Sequence, residues 1–357
     1  MKHDERYDAA ELIAFAEKVL LAAGLPNEPA RVVAEGLVAA DLYGHTTHGL
    51  ALLADYVDEI QNGRMEAIGR PAVLSSFAAV ETWDAKRLPG IWTTKLAIQA
   101  AVERAAQFGL GAIAIRRSHH IACLATFLEA PARDKFLVLL FSSDPSAAHV
   151  APFGGTKPVL TPNPIAAGIP AEPDPIILDI STSITTAGLC ARARAEGTRL
   201  PHPWLMTADG TVTDDPNVLS SGGSILPIGG LDHGHKGFAL SLLVESLTQG
   251  LSGFGRADQP SDWGASVMIL AIALRAFASA ADFEREISWL IEACRSSPSR
   301  VDSSPVRLPG EAAFERKKIA MERGVRLHPS IVGSLQKLAS SQTIEVPRPR
   351  FESSTQN

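Results

Sequence analysis

The sequence predicts an α+β fold. Both ends of the chain show helical periodicity, and the middle is rich in short β-prone segments that do not alternate regularly with helices. A third observation is negative: the single glycine-rich stretch sits in the wrong context for a doubly wound sheet. At 357 residues the chain exceeds what one core usually fills, so two domains, or one with a large insertion, are expected.

The elements follow in order. Asp8 with Glu11 has the spacing of a capping box, and Leu12, Phe15, Ala16, Val19 and Leu20 then recur at helical intervals until Gly24 and Pro26 stop them. A second helix follows Asn27, with Val32, Val33, Leu37 and Val38 as its apolar stripe. A third is predicted from His48 to Ile60, ending near Gly63, and no strand is expected in these first seventy residues. An alanine-rich helix over Lys95–Gln107 leads through Gly109 and Gly111 to a strand at Ala112–Ile115. Further strands are expected at Phe136–Phe141, Ile165–Ile169 and Ile176–Ile180, with proline and glycine turns over 152–175. A long helix over Phe238–Leu251 presents Leu240, Leu243, Val244, Leu247 and Leu251 on one side. A strand near Ser266–Leu274, a helix near Ala281–Arg295 and two helical segments up to Ala339 complete the pattern. From 341 to 357 the chain lacks apolar periodicity and reads as a flexible tail.

Composition bounds the function. With 46% hydrophobic and 20% charged residues the chain is globular, not mainly disordered. Its 33 basic against 39 acidic residues give a net charge of −6, a poor match for nucleic acid or an anionic membrane. The three cysteines, Cys123, Cys190 and Cys294, are too scattered for a disulfide framework or a four-cysteine zinc site and suit a reducing compartment. No signal peptide or spanning segment is visible, so a cytoplasmic location is expected.

Histidine is where chemistry concentrates. Six of the ten histidines form three close pairs: His45 with His48, His119 with His120, and His233 with His235. Each pair lies among Gly, Ser and Thr, and imidazole suits proton transfer near neutrality. The His45-Thr-Thr-His48 spacing would make a metal pair only on a helix, Gly44 and Gly49 argue against one, and the HExxH glutamate is absent, so no metal is expected. Gly109-Leu110-Gly111 fits half of a dinucleotide fingerprint, but a helix precedes it and a strand follows, the reverse of what that fingerprint needs. It reads as a helix cap. Lys236, just before a long helix, is a candidate anion ligand, and Asp179 is either a turn cap or a ribose ligand.

Taken together, ADLYGHTTHG, RRSHHIA, PFGGTKPVLTPNPIAAGIP, LDISTSITTAG, LPIGG with HKGFALSLLVESLTQGLSG, and RLPGE resemble the malate/L-lactate dehydrogenase family of the non-Rossmann kind, nearly end to end. That family includes sulfolactate and ureidoglycolate dehydrogenases and the Δ1-piperideine-2-carboxylate reductases. The resemblance implies a helical domain formed by residues 1–75 with 310–340. It also implies a mixed, largely antiparallel NAD(P)-binding and substrate domain over 76–309, in a homodimer. The implied activity is hydride transfer between NAD or NADP and a small-molecule 2-hydroxy or 2-oxo acid. Reduction of a cyclic imine carboxylate, or a catalytically silent nucleotide-binding relative, is the alternative.

The resemblance also implies roles. His48 would move the proton, Thr47 would orient its ring, and His120 would be a second catalytic histidine. His120, Ile121, Ala122, Cys123 and Leu124 would line the cofactor with Asp179, Ile180 and Ser181, with His235 and Lys236, and with Arg307, Leu308, Pro309, Gly310 and Glu311. Leu52, Pro162, Asn163, Ala187 and Gly188 fall on substrate positions. Several depart from the pattern: Leu52 stands where an arginine usually grips a carboxylate, Ala187 where arginine precedes glycine, and Leu189 where aspartate or lysine occurs. Leucine cannot replace a bidentate guanidinium, so Arg116, Arg117 or Arg192 are candidates to take over.

Overall fold

The computed structural model describes residues 5–301 and 304–350. Strand β1 (Arg6–Tyr7) leads into α1 (Ala9–Ala22), where Asp8 Oδ1 accepts the N–H groups of Ala10 and Glu11 as expected of its cap. Next come α2 (Asn27–Tyr43) and, after a short turn of 3-10 helix at Leu50–Leu52, α3 (Leu53–Gln61). The expected helix from His48 therefore begins five residues later. Strands β2 (Ala72–Phe77) and β3 (Val80–Asp84) precede α4 (Gly90–Phe108), which Gly109 ends in the left-handed region before β4 (Leu110–Ser118). Gly109 is a helix cap, as its context indicated, and Gly111 lies in β4.

After α5 (Glu129–Arg133) come β5 (Phe136–Ser143), β6 (Ile165–Ile169) and β7 (Ile176–Ile180). Helix α6 (Ala187–Ala195) is followed by β8 (Leu205–Met206), β9 (Val212–Thr213) and β10 (Ser224–Ile225), a small three-stranded sheet absent from the sequence reading. Helix α7 (Gly230–Glu245) starts eight residues before the expected Phe238 and runs into a π-helical turn at Ser246–Gly250. The chain closes with β11 (Ala265–Ala273), α8 (Ala280–Arg295), α9 (Glu311–Arg323), β12 (Val325–Arg326) and α10 (Pro329–Gln342).

The main sheet has the order β2-β3-β4-β11-β5-β6-β7, and only β3 and β4 run parallel. It is mixed and largely antiparallel. Its two faces follow the period of two: Ile113, Ile115, Val267 and Ile269 bury against the alanines of α4, while Ala112, Ala114 and Met268 turn to Val244 of α7. Small residues permit close approach, for a Cβ at Gly111 would lie 2.0 Å from Ala101 O.

The two chain ends share one core. Leu12, Phe15, Val33, Leu37, Leu53 and Tyr56 pack with Val325, Leu327, Ile331 and Leu335, and β1 pairs antiparallel with β12. The segment expected to be a loose tail is partly docked: Ile344 and Val346 pack on that core, and Arg350 Nη2 reaches Asp8 Oδ2 at 2.5 Å. Residues 351–357 lie outside the described residues. On α7 and the turn that follows it, Val244 is fully buried while Leu240, Leu243 and Leu251 are exposed.

Candidate active site

Helix α2 ends at Gly44 in the left-handed region, and the chain turns sharply. The N–H of His45 caps Ala40 O at 2.8 Å and that of His48 bonds His45 O at 2.8 Å. This is a turn, not a helix, so His45 and His48 do not form a helical ligand pair. Asp41, buried in α2, holds the far side of the turn by accepting the Leu50 N–H at 2.7 Å. A Cβ at Gly49 would lie 2.3 Å from that carboxylate, so only glycine fits. Burial pushes Asp41 up to about 7, against the stabilising pull of the Leu50 N–H. Within the turn, Thr47 Oγ1 and His48 Nδ1 lie 2.9 Å apart, which fixes the ring and frees Nε2.

The second histidine arrives from the sheet. Strand β4 ends at Ser118, and His119–His120 pass over the start of α4, where a Cβ on Gly90 would meet His119 O at 2.1 Å. Tyr56 hydroxyl lies 3.0 Å from His120 Nδ1 and 3.2 Å from His120 O. With the hydroxyl hydrogen on the carbonyl, Nδ1–H donates to the tyrosine oxygen. The His120 ring stacks on Trp263 at 4.5 Å between centroids and lies nearly parallel to His48 at 6.1 Å. Behind it, His119 is fully buried with Nε2 3.2 Å from Glu59 and Nδ1 without a partner among the described residues. Burial lowers all three: His119 to about 4, His120 well below the ordinary histidine value, and His48 below it, partly offset by Asp179. Neutral imidazoles therefore prevail here at neutral pH.

These groups open into a cavity of about 380 Å³. It brings together Thr47, His48, Leu52, His120, Ile121, Ala122, Cys123, Leu124, Pro162, Asn163, Asp179, Ser181, Ala187 and Gly188, all singled out in the sequence. A second depression, sharing His45 and Asp179 with the first, adds Ile180, Pro309, Gly310 and Arg316. Asp179 Oδ2 accepts the Ala125 N–H at 2.9 Å, so it does cap a turn, the one at Leu124–Phe127 rather than its own. Asn163 lines the cavity, but its amide is engaged in the wall: Oδ1 accepts from Thr161 at 2.6 Å and Nδ2 donates to Glu245 Oε1 at 2.9 Å.

Other expected residues lie elsewhere. His235 and Lys236 sit inside α7, exposed, and outside both depressions; the helix begins at Gly230, so Lys236 is not at its N-terminus. Arg307 is exposed and lines neither. Leu308 and Glu311 line a separate charged hollow, with Glu311 Oε2 accepting the Leu308 N–H at 2.9 Å to cap α9. Of the candidate replacement arginines, Arg116 and Arg117 are tied to Asp84, whereas Arg192 donates to Thr46 Oγ1 at 3.0 Å beside the histidine turn.

Sequence reading missed Tyr56, Trp263, Asp144 and His149. Tyr56 falls within the third predicted helix, where an aromatic carries no signal of its own, and Trp263 follows an unremarkable Gln-Pro-Ser-Asp loop. Asp144-Pro145-Ser146 did carry a turn signal, and Asp144 Oδ1 accepts both the N–H and the hydroxyl of Ser146 at 2.8 and 2.7 Å.

Comparison with known proteins agrees with this architecture. The malate dehydrogenase of Pyrococcus abyssi is 28% identical over 337 residues, 92% of each chain. The (2R)-3-sulfolactate dehydrogenase (NADP(+)) of Chromohalobacter salexigens is 32% identical, covering 93% of this chain and 97% of its own. The crystal structure of malate dehydrogenase from Entamoeba histolytica, 23% identical, superposes with a TM-score of 0.91 over 96% of this chain and 99% of its own, a likeness of fold. Residues 7–336 match the malate/L-lactate dehydrogenase family as a whole, and the chain belongs to that family.

Proposed function

We propose that the protein is an NAD(P)-dependent oxidoreductase that moves hydride between a nicotinamide and a 2-hydroxy or 2-oxo acid, with His48 as proton relay. The observation that carries this reading is the His48 ring, held through Nδ1 by Thr47 in a cavity that it shares with His120. Relatives named malate and sulfolactate dehydrogenases support the reaction class.

The donor set fits a nicotinamide cofactor. Ile121, Ala122, Leu124 and Trp263 offer apolar surface for a planar ring, Asp179 an acceptor for a ribose hydroxyl, and Arg316 a cation in the adjoining depression. Gly310 adds a close approach, since a Cβ there would lie 3.0 Å from Ile177 N. When bound, the cofactor gives or takes the hydride. The chain's own residues manage the proton. In the oxidative direction neutral His48, its Nδ1–H donating to Thr47 Oγ1, takes the hydroxyl proton on Nε2; in reduction the imidazolium returns it to the carbonyl oxygen. His120, held neutral by burial and fixed between Tyr56 and Trp263, keeps a second positive charge from the site. Leu52 lines the cavity without a charge, so Arg192, held by Thr46 beside the histidine turn but outside the cavity lining, is the cation assigned to a substrate carboxylate.

The rest of the reading concerns assembly. The helical layer shared by both chain ends and the mixed-sheet body act as two domains, in a cytoplasmic homodimer that covers Leu240 and Leu243 of α7 and Leu251 just beyond it. Sedimentation equilibrium is expected to return a dimer at micromolar concentration, and a monomer would remove this part. The reaction itself is tested by mixing the protein with NADH or NADPH and a panel of 2-oxo acids and cyclic imines. Loss of nicotinamide absorbance with 2-oxo acids is expected. Nucleotide binding without turnover on any member would overturn the reading.

A further inference from the structure

The wall of the cavity at the end of β5 carries two functional groups that the proton relay does not use. Asp144 Oδ1 is occupied by Ser146, but Oδ2 has no hydrogen-bond partner among the described residues. His149, held by its backbone N–H to Leu160 O at 2.7 Å, has no partner on either ring nitrogen there. Both line the same cavity as His48, and each feels the other's charge. Burial raises the Asp144 carboxyl above its ordinary range even though Ser146 and Arg256 favour its charged form.

The charge balance of the cavity points the same way. Among the described residues that line it are four histidines and two carboxylates, Asp144 and Asp179, but no lysine or arginine. Arg256, behind the wall, is engaged: its Nη2 donates to Glu245 Oε1 at 2.9 Å and to Asp144 O at 3.0 Å. Arg192 lies on the other flank, on Thr46. That flank has a cation beside the histidine turn, whereas a second anion on the β5 side would face Asp144.

We propose that Asp144 and His149 form the specificity subsite for the end of the substrate away from the reacting carbon. The subsite takes a hydrogen-bond donor there, a hydroxyl, amide or ammonium group, and disfavours a second carboxylate or a sulfonate. The enzyme then prefers monoanionic 2-oxo acids with a polar side chain over the dianions used by relatives named malate and sulfolactate dehydrogenases. This rests on the 2-hydroxy acid reading above. Like charges brought to contact at a partly buried wall give a discrimination of roughly tenfold to a hundredfold.

The test compares kcat/KM for hydroxypyruvate and oxaloacetate in the wild type and in Asp144→Asn, an isosteric change that keeps an acceptor for Ser146. Hydroxypyruvate is expected to lead by at least about tenfold, mostly through KM, and Asp144→Asn to shrink that ratio by a similar factor. His149→Gln, checked for folding by its melting curve, is expected to weaken hydroxypyruvate selectively. Oxaloacetate preferred by the wild type, or a ratio unmoved in both variants, would overturn the proposal. If no 2-oxo acid turns over, the reaction reading fails separately, and calorimetric titration of two unreactive analogues still reads the subsite. Oxamate, a monoanion, should then bind more tightly than tartronate, a dianion; equal or tighter tartronate binding refutes the subsite.

Discussion

The proposed proton relay needs one nitrogen held and the other free, and Thr47 Oγ1 lies 2.9 Å from His48 Nδ1. Thr47→Ala removes one hydrogen bond worth ~1 kcal/mol, so kcat is expected to fall by roughly fivefold with little change in KM. Thr47→Ser, which keeps the hydroxyl, should restore most of the rate; equal losses in both variants would show that the methyl group, not the hydroxyl, matters. Histidine pairing in a glycine-bounded stretch drew attention to His48, whereas the role proposed for Thr47 came from the family resemblance. Tyr56 and Trp263, which hold the His120 ring, were invisible, because an aromatic in an amphipathic stripe or a loop looks the same whether it packs a core or props a polar ring.

At the scale of elements, the joint between α2 and α3 sets the site. Its geometry depends on the Asp41 carboxylate reaching the Leu50 N–H past a residue without a side chain. Gly49→Ala forces a carbon into that carboxylate and is expected to cost ~1–3 kcal/mol in chemical denaturation while depressing turnover. An unchanged midpoint would mean that the turn can relax without cost. Periodicity located α1, α2 and strands β5 to β7 close to their observed bounds, and the end of α4 but not its start, which lies five residues before the expected Lys95. It failed where the signal is shorter than its period: β8, β9 and β10 have two residues each. It also failed for β2, whose residues beyond Ala72 are all exposed and show no inward alternation. Glycines misled it at α7, where Gly230, Gly234 and Gly237 lie inside the helix; a Cβ on Gly237 would lie 2.6 Å from Ile228. His235 and Lys236 were misplaced with that boundary.

For the whole molecule, the buried histidines couple stability to pH. His45, His48, His119, His120 and His149 all have lowered values because burial disfavours their charged forms. Below the unfolded value of 6.5 the unfolded chain takes up protons that the native state refuses, so stability falls as pH drops. For His119, down to about 4, this removes ~3 kcal/mol across that window. Asp41, raised to about 7, with Asp144 and Asp55 also raised, acts oppositely between 7 and 3.8, but fewer groups do so. Denaturation midpoints are therefore expected to fall from pH 6.5 to pH 4, and a flat profile would contradict the burial of these rings. That both chain ends build one core was legible from their helical periodicity and the family resemblance together, since neither end buries its apolar stripe alone. The charge balance of the cavity was not legible, because it depends on which of the 33 basic residues face inward.

The most direct test is the pH profile of kcat/KM for oxidation of a 2-hydroxy acid by the wild type and by His48→Gln. Burial holds His48 below its ordinary value of 6.5, so the basic form prevails at neutrality and the wild-type rate should lose activity only on the acid side, below pH 6.5. His48→Gln should lower kcat by roughly 10²- to 10⁴-fold and abolish that acid limb, with the affinity for NADH or NADPH little changed. A glutamine variant that keeps both the rate and the limb would show that His48 moves no proton.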